Sequence, residues 1–370
     1  MDAAANVARL PIKPNLVIRH DDLTVTARAL APIIACSGRI FARDVPVKII
    51  ELAGGGMPRA MALTQDDVVI EAHALARPVV YNREGNLSPR TLPERVARLY
   101  LALRDLGLPP LNGITTAPLL SADGTMRAAD GYDAHSGMWC ANVPAIEIAP
   151  APSLQEVHAA LRMIREAFYT FPFANAATVD GSRPGVPVID LSASPAFDET
   201  ALIAALLTAI CRPSLRLAPG LLISAPSQSG AGTGKGLLVR AISMIAYGIE
   251  PRAFNAGYGA AELEKRLGAA LMEAAPVLFL DNVNSASLRS DLLASILTES
   301  PVVARVLGVS RMVRLNAAAF VAVTGNGVIL SEDLTRRFIL CEIDAHMEDP
   351  EGRPFPPGFL EGIKEDDANY

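Results

Sequence analysis

The chain has 370 residues, 51% of them hydrophobic and 19% charged, enough for two domains or for one large domain with an appendage. A formal net charge of -6 and an aromatic content of 5% exclude a broadly basic, base-stacking nucleic-acid coat, though not contact with DNA through a few loops. Cys36, Cys140, Cys211 and Cys341 lie far apart without a C-x-x-C pair, and the histidines are scattered, so neither a zinc site nor a disulfide framework is expected. Residues 1–15 lack the apolar core of a secretion signal. The longest apolar stretch, 201–211, is too short for a bilayer, so a cytoplasmic protein without a membrane partner is expected.

Taken in order, residues 1–30 read as a lead-in followed by a short helix. From 33 to 81 the pattern turns β-like. Residues 38–43 and 47–50 are expected to pair around Asp44-Val45-Pro46, with further strand signal at Val68-Val69-Ile70. A helix starts at Leu92-Pro93-Glu94 and ends near Gly107. Residues 113–140 form a string of short strands and turns. There Asp123, Asp130, Asp133 and His135 fit turn chemistry better than a metal cluster. Together, 1–150 is expected to be a smaller N-terminal α+β domain. An Ala- and Pro-rich linker at 148–152 precedes a capping box, Ser153 with Glu156, that opens a helix to Phe168. Residues 171–197 read as loop, so 151–198 is expected to be a linker and helix leading into a larger domain, and 346–370 to form a polar tail.

Residues 199–345 alternate helix and continuous apolar strand, the pattern of a parallel sheet covered on both faces. At its head stands 221–238, LLISAPSQSGAGTGKGLL. Here an apolar strand runs into a loop of small residues and then into a helical pattern. Such a loop turns backbone N–H groups toward phosphate oxygens; the helix N-terminus and Lys235 add positive charge. The expected cradle is Ser229, Gly230, Ala231, Gly232, Thr233, Gly234, Lys235, Gly236 and Leu237. Relative to G-x-x-x-x-G-K-[ST], Ser229 replaces the first Gly and Gly236 the hydroxyl residue. Asp281 ends the strand VLFLD, where a hard carboxylate suits Mg²⁺. Asn326 follows VAVTG at the next strand tip, where an amide can hold water or a phosphate oxygen. Arg336 and Arg337 follow SEDLT and can stabilise charge on a neighbouring subunit's phosphate.

GAGTGKG, VLFLDN, VAVTGNG and SEDLTRRF, in that order, resemble the AAA+ ATPases, and within them the superfamily 3-type helicase modules of phage and plasmid primase-helicases. The likeness spans about 90–345 and is tightest in 219–345. It implies a P-loop AAA+ fold, ATP and Mg²⁺ as cofactors, and a homo-oligomeric, hexameric ring. It also implies Lys235 on the β/γ-phosphates, Asp281 on Mg²⁺, Asn326 as sensor 1, and Arg336 or Arg337 as a finger in trans. RVLGVSRMVR is read as a hairpin, and the resemblance implies that it points into the ring, where Arg305, Arg311 and Arg314 would meet single-stranded or forked DNA. A primase would be a partner on another chain, since no primase pattern is visible here.

The departures carry weight. Asn282 stands where many AAA+ proteins have a Glu, and an amide cannot take a proton from water. Glu299 is a candidate replacement base, Thr233 a nearby hydroxyl, and the short tail leaves little room for a helical lid. The expected activity is therefore a DNA-dependent ATPase and helicase. The alternatives are an assembly switch that binds ATP with little hydrolysis and, with less to support it, a small-molecule phosphotransferase.

Overall fold

The computed structural model describes residues 13–52, 56–121, 123–145, 151–181, 186–226, 230–255, 259–283, 287–305, 311–347, 349–353, 355–356 and 358–367. By contact the chain divides into two units, residues 1–50 with 60–111 and residues 51–59 with 112–370.

The first unit runs β1 (Asn15–Val17), α1 (Leu23–Ala35), β2 (Ile40–Ala42), β3 (Pro46–Leu52), β4 (Gly56–Ala62), α2 (Gln65–Leu75), β5 (Arg77–Tyr81), β6 (Leu87–Pro89) and α3 (Glu94–Ala102), with residues 51–59 counting with the second. Leu30 and Ile34 of α1, Val68 and Ala72 of α2, and Val96 and Tyr100 of α3 share one core. The pairing of β2 with β3 is as expected, with Ile40 opposite Lys48. Val68-Val69-Ile70, expected as strand, is helical. Thr64 accepts from the Asp67 N–H and Asp67 from the Thr64 N–H, and this reciprocal cap outweighs three β-branched residues.

The second unit opens with short strands β7 (Gly113–Thr115), β8 (Leu119–Leu120), β9 (Met126–Arg127), β10 (Gly131–Asp133) and β11 (Met138–Cys140). Asp123 and Asp133 hold turns there, accepting from Thr125 and from Ser136. α4 (Leu154–Phe168) starts at the expected capping box, and β12 (Thr178–Asp180) pairs with β13 (Pro187–Ile189). Then come α5 (Phe197–Cys211), β14 (Gly220–Ala225), α6 (Lys235–Tyr247), β15 (Ala253–Asn255), α7 (Ala260–Met272), β16 (Val277–Asp281), β17 (Ser287–Leu288), α8 (Asp291–Thr298), β18 (Val302–Arg305), β19 (Met312–Leu315), β20 (Phe320–Asn326), β21 (Ile329–Leu330), α9 (Glu332–Thr335), β22 (Phe338–Glu342) and α10 (Phe359–Asp367).

Five strands make one parallel sheet in the order β15-β16-β20-β14-β22. Alternation sorts their side chains into two cores. Leu221, Ile223, Phe279, Phe320, Ala322 and Cys341 face α5 and α6; Leu222, Leu278, Leu280, Val321 and Val323 face α7, α8 and the β18–β19 hairpin. The sheet is thus mixed α/β with helices on both faces, as the uninterrupted apolar strands imply.

Two expected boundaries move. The division falls between residues 111 and 112 rather than near 150. Residues 151–198 are no linker, because Phe168, Phe171, Phe173 and Ile189 are buried in the core beneath α5 and α6. Nor is the end of the chain simply a polar tail. A short 3₁₀ turn, Pro350–Gly352, leads to α10, and Phe355 and Phe359 pack edge-on against Phe171 with ring centroids 5.1 and 5.3 Å away. Three apolar rings clustered in this way outweigh the polar composition around them. Among the described residues no helix is long and apolar enough to cross a membrane.

Candidate functional site

All five strands of the sheet are parallel, so their carboxyl ends share one edge. Ala225 of β14 is level with Asn326 of β20, and Thr324 of β20 is level with Ile223. β16 lies on the other side of β20 and ends at Asp281. The loop after β14 and the start of α6 therefore share an edge with Asp281 and Asn326, at the crevice where open α/β sheets hold ligands.

The loop is built by backbone close approach. Gly232 and Gly234 have φ of 69° and 99°, a region that only glycine enters freely. A Cβ on Gly230 would run into the Pro226 carbonyl and lie 2.6 Å from Asn326 Oδ1, so the amide of Asn326 rests directly on the loop. Thr233 is fully buried. Its hydroxyl donates to the Gly230 carbonyl at 2.9 Å, which props the loop rather than offering a ligand. Lys235 Nζ donates to the same carbonyl and, at 3.2 Å, to Thr233 Oγ1. Burial pushes the Lys235 ammonium below its ordinary pKa, and the negative charge of Asp281 works against that push. α6 begins at Gly234 without a side-chain cap. Ser229 lies outside the described residues; Gly230, Ala231 and Gly232 lie in the loop, and Gly236 and Leu237 in the first turn of α6.

Asp281 is oriented from β20. Thr324 Oγ1 donates to Asp281 Oδ1 at 2.6 Å and accepts from the Asn282 N–H at 3.2 Å. Asn282 has φ 61°, and the Val283 N–H bonds the Thr324 carbonyl at 2.8 Å, which ends β16 in a sharp turn. Gly325 makes the turn possible, because a Cβ there would collide with the Val283 carbonyl. No motif singles out Thr324; its place beside Asp281 follows only from pairing β20 with β16.

Mg²⁺ takes hard oxygen ligands, commonly one or two carboxylates with phosphates and water. Asp281 offers one carboxylate with one oxygen engaged by Thr324, which fits that demand when phosphate is present. Among the described residues no group of three or more His, Cys, Asp or Glu side chains converges on a metal position.

Other expected residues lie elsewhere. Arg337 donates to the Asp333 carbonyl at 2.7 Å and pairs with the Asp333 carboxylate; Arg336 is exposed. β22 starts at Phe338, level with Gly220, so both arginines sit at the amino edge. A strand of this length spans about 17 Å, so neither arginine shares an edge with the phosphate loop of its own chain. Glu299 is corrected as a base. It is exposed at the end of α8 and accepts from Ser295, while its neighbour Ser300 bonds Asn316 just before β20 begins, again on the amino side. The β18–β19 hairpin exists as expected. Val302, Ala304, Val313 and Leu315 are buried, while Arg305 and Arg314 face outward with Val303 and Met312. Arg311 is exposed, and 306–310 lie outside the described residues.

Two features were not expected. The 3₁₀ turn at the end of the chain rests on the loop, since a Cβ on Gly232 would collide with Glu351 Cγ. Arg240, one turn into α6, folds back toward the helix start, donates to the Gly236 carbonyl at 3.2 Å and lies 5.6 Å from the centroid of the Phe279 ring.

Neither a family model nor a curated protein matches the chain.

Proposed function

We propose that residues 199–345 form a P-loop AAA+ core that binds ATP and Mg²⁺ and hydrolyses ATP between the subunits of a homo-oligomeric ring, as a cytoplasmic DNA-dependent ATPase and helicase of phage or plasmid replication. The single observation that carries it is convergence: the Gly230–Gly236 loop, Asp281 and Asn326 come from three adjacent parallel strands to one edge. Within that reading, Lys235 and the N–H groups at the start of α6 hold the β- and γ-phosphates. Asp281, steadied by Thr324, holds Mg²⁺, which neutralises phosphate charge during transfer. Asn326 orients water against the loop. The amino-edge position of Arg336 and Arg337 supports action on a neighbouring subunit, and the outward Arg305 and Arg314 support phosphate contact with single-stranded or forked DNA.

The test is steady-state ATP hydrolysis with and without single-stranded DNA. Lys235→Ala and Arg337→Ala should each abolish turnover, and mixing the two variants should restore part of it by pairing an intact loop with an intact arginine. Turnover by a monomer, or no rescue on mixing despite assembly, sinks the trans arrangement.

A second reading, an assembly switch that binds ATP and barely hydrolyses it, is favoured by Asn282 in place of a carboxylate base and by Glu351 resting against Gly232. It is distinguished by ATP-driven oligomerisation with negligible turnover in the same assay.

A further inference from the structure

Gly236 stands where the phosphate-loop pattern calls for a hydroxyl, and the surroundings of that glycine say what has taken the space. A Cβ built on it would lie 2.9 Å from Arg240 Nη1 and 3.6 and 3.7 Å from the two oxygens of Asp281. The absent side chain thus marks a point on which a guanidinium and the site carboxylate converge. Arg240 is half-buried and held from two sides, by the Gly236 carbonyl and by the face of Phe279. It reaches this point because a helical side chain leans toward the N-terminus, so residue 240 covers the turn that begins at 236.

A hydroxyl at 236 would be one hard ligand for a divalent cation beside Asp281. Here that ligand is missing and a permanent positive charge lies next to its place. Like charges repel strongly at short range in a partly dehydrated site, so Arg240 disfavours a cation close to Gly236. The same guanidinium provides what the cation would otherwise bring, namely positive charge and directed N–H donors for phosphate oxygens.

Resting on the nucleotide reading above, we propose that Arg240 is a phosphate-binding residue that takes over part of the metal's charge, making nucleotide binding by this site only weakly dependent on divalent cations. Lys235 and Arg240 then flank the start of α6, and Asp281 keeps a cation-binding role that is helpful rather than obligatory.

The experiment measures binding of a fluorescent ATP analogue to the full chain in excess EDTA and in excess Mg²⁺. Wild type should show dissociation constants within about threefold of each other. Arg240→Met, which keeps the stem over Phe279, should weaken binding about tenfold or more in EDTA and clearly less in Mg²⁺. Arg240→Lys should recover part of the metal-free affinity. Gly236→Ser, whose Cβ displaces the flexible end of Arg240, should shift the site toward Mg²⁺ dependence. Equal losses for Arg240→Met in both buffers, or wild-type binding that needs Mg²⁺ by well over tenfold, would overturn the assignment. Absence of wild-type binding in both buffers would instead overturn the nucleotide reading itself, so the two failures are distinct.

Discussion

The two edges of the five-stranded sheet make an instructive pair. Both carry arginines and backbone turns, but they treat their polar groups oppositely. At the amino edge Arg212 is buried, and its guanidinium donates to the carbonyls of Leu215, Ala317 and, at 3.1 Å, Ala319. Those carbonyls are satisfied from within the fold, and burial lowers the pKa of the arginine without freeing it for a ligand. At the carboxyl edge α6 starts without a side-chain cap, Lys235 folds back on its own loop, and Arg240 and Asp281 converge on Gly236. The amino edge uses its arginine to close the structure; the carboxyl edge gathers Lys235, Arg240 and Asp281 around one loop, where the proposed function places phosphate. Residue type alone does not distinguish them, because Arg212 and Arg240 both sit beside apolar helical runs.

The comparison can be broken from either side. The largest effect is expected at the carboxyl edge from Gly230→Val. Its side chain would meet Pro226 and Asn326, so nucleotide affinity should fall about 100-fold or more while the thermal midpoint hardly moves. A variant that loses stability in proportion to affinity would show that the loop is part of the core after all. Next comes Arg212→Met at the amino edge. Leaving buried carbonyls unsatisfied should cost about 2–4 kcal/mol in urea denaturation, with nucleotide affinity of the folded protein unchanged. Altered affinity would mean that the two edges communicate. The smallest effect concerns pH. Because burial lowers the pKa of Lys235, its charge is lost at a lower pH than that of an ordinary lysine, whereas a bound phosphate favours the charged form. Affinity should therefore fall about threefold as pH rises from 7 into the alkaline range, and Lys235→Arg should flatten the profile. A flat wild-type profile would remove Lys235 from the phosphate contact.

Much of this was readable before the structure. β14, β16, β20 and β22 are apolar runs bounded by turn residues, and α4 carries a clear start signal, so local chemistry and burial agree. The edge residues Lys235, Asp281 and Asn326 were legible for the same reason, since each ends or follows such a run. Elsewhere local and tertiary signals part company. Val68-Val69-Ile70 looks like strand until the Thr64–Asp67 cap is given priority. Thr324 is one more residue in an apolar run until strand order brings it against Asp281. Arg240 is a single basic residue in an amphipathic helix, and nothing along the chain says which carboxylate it will face. Phe355 and Phe359 stand among prolines and glycines, and the ring they pack against, Phe171, is far away in sequence.

Those three rings have a practical consequence. Phe171 also lies 3.0 Å from where a Cβ on Gly234 would stand, so the aromatic cluster backs the first turn of α6. Trimming the chain ahead of Pro350 to discard an unpromising end would uncover Phe171 and the apolar flank of α6 together. A shortened protein of that kind should be sticky in solution, and its behaviour toward nucleotides would describe a damaged surface rather than the native one.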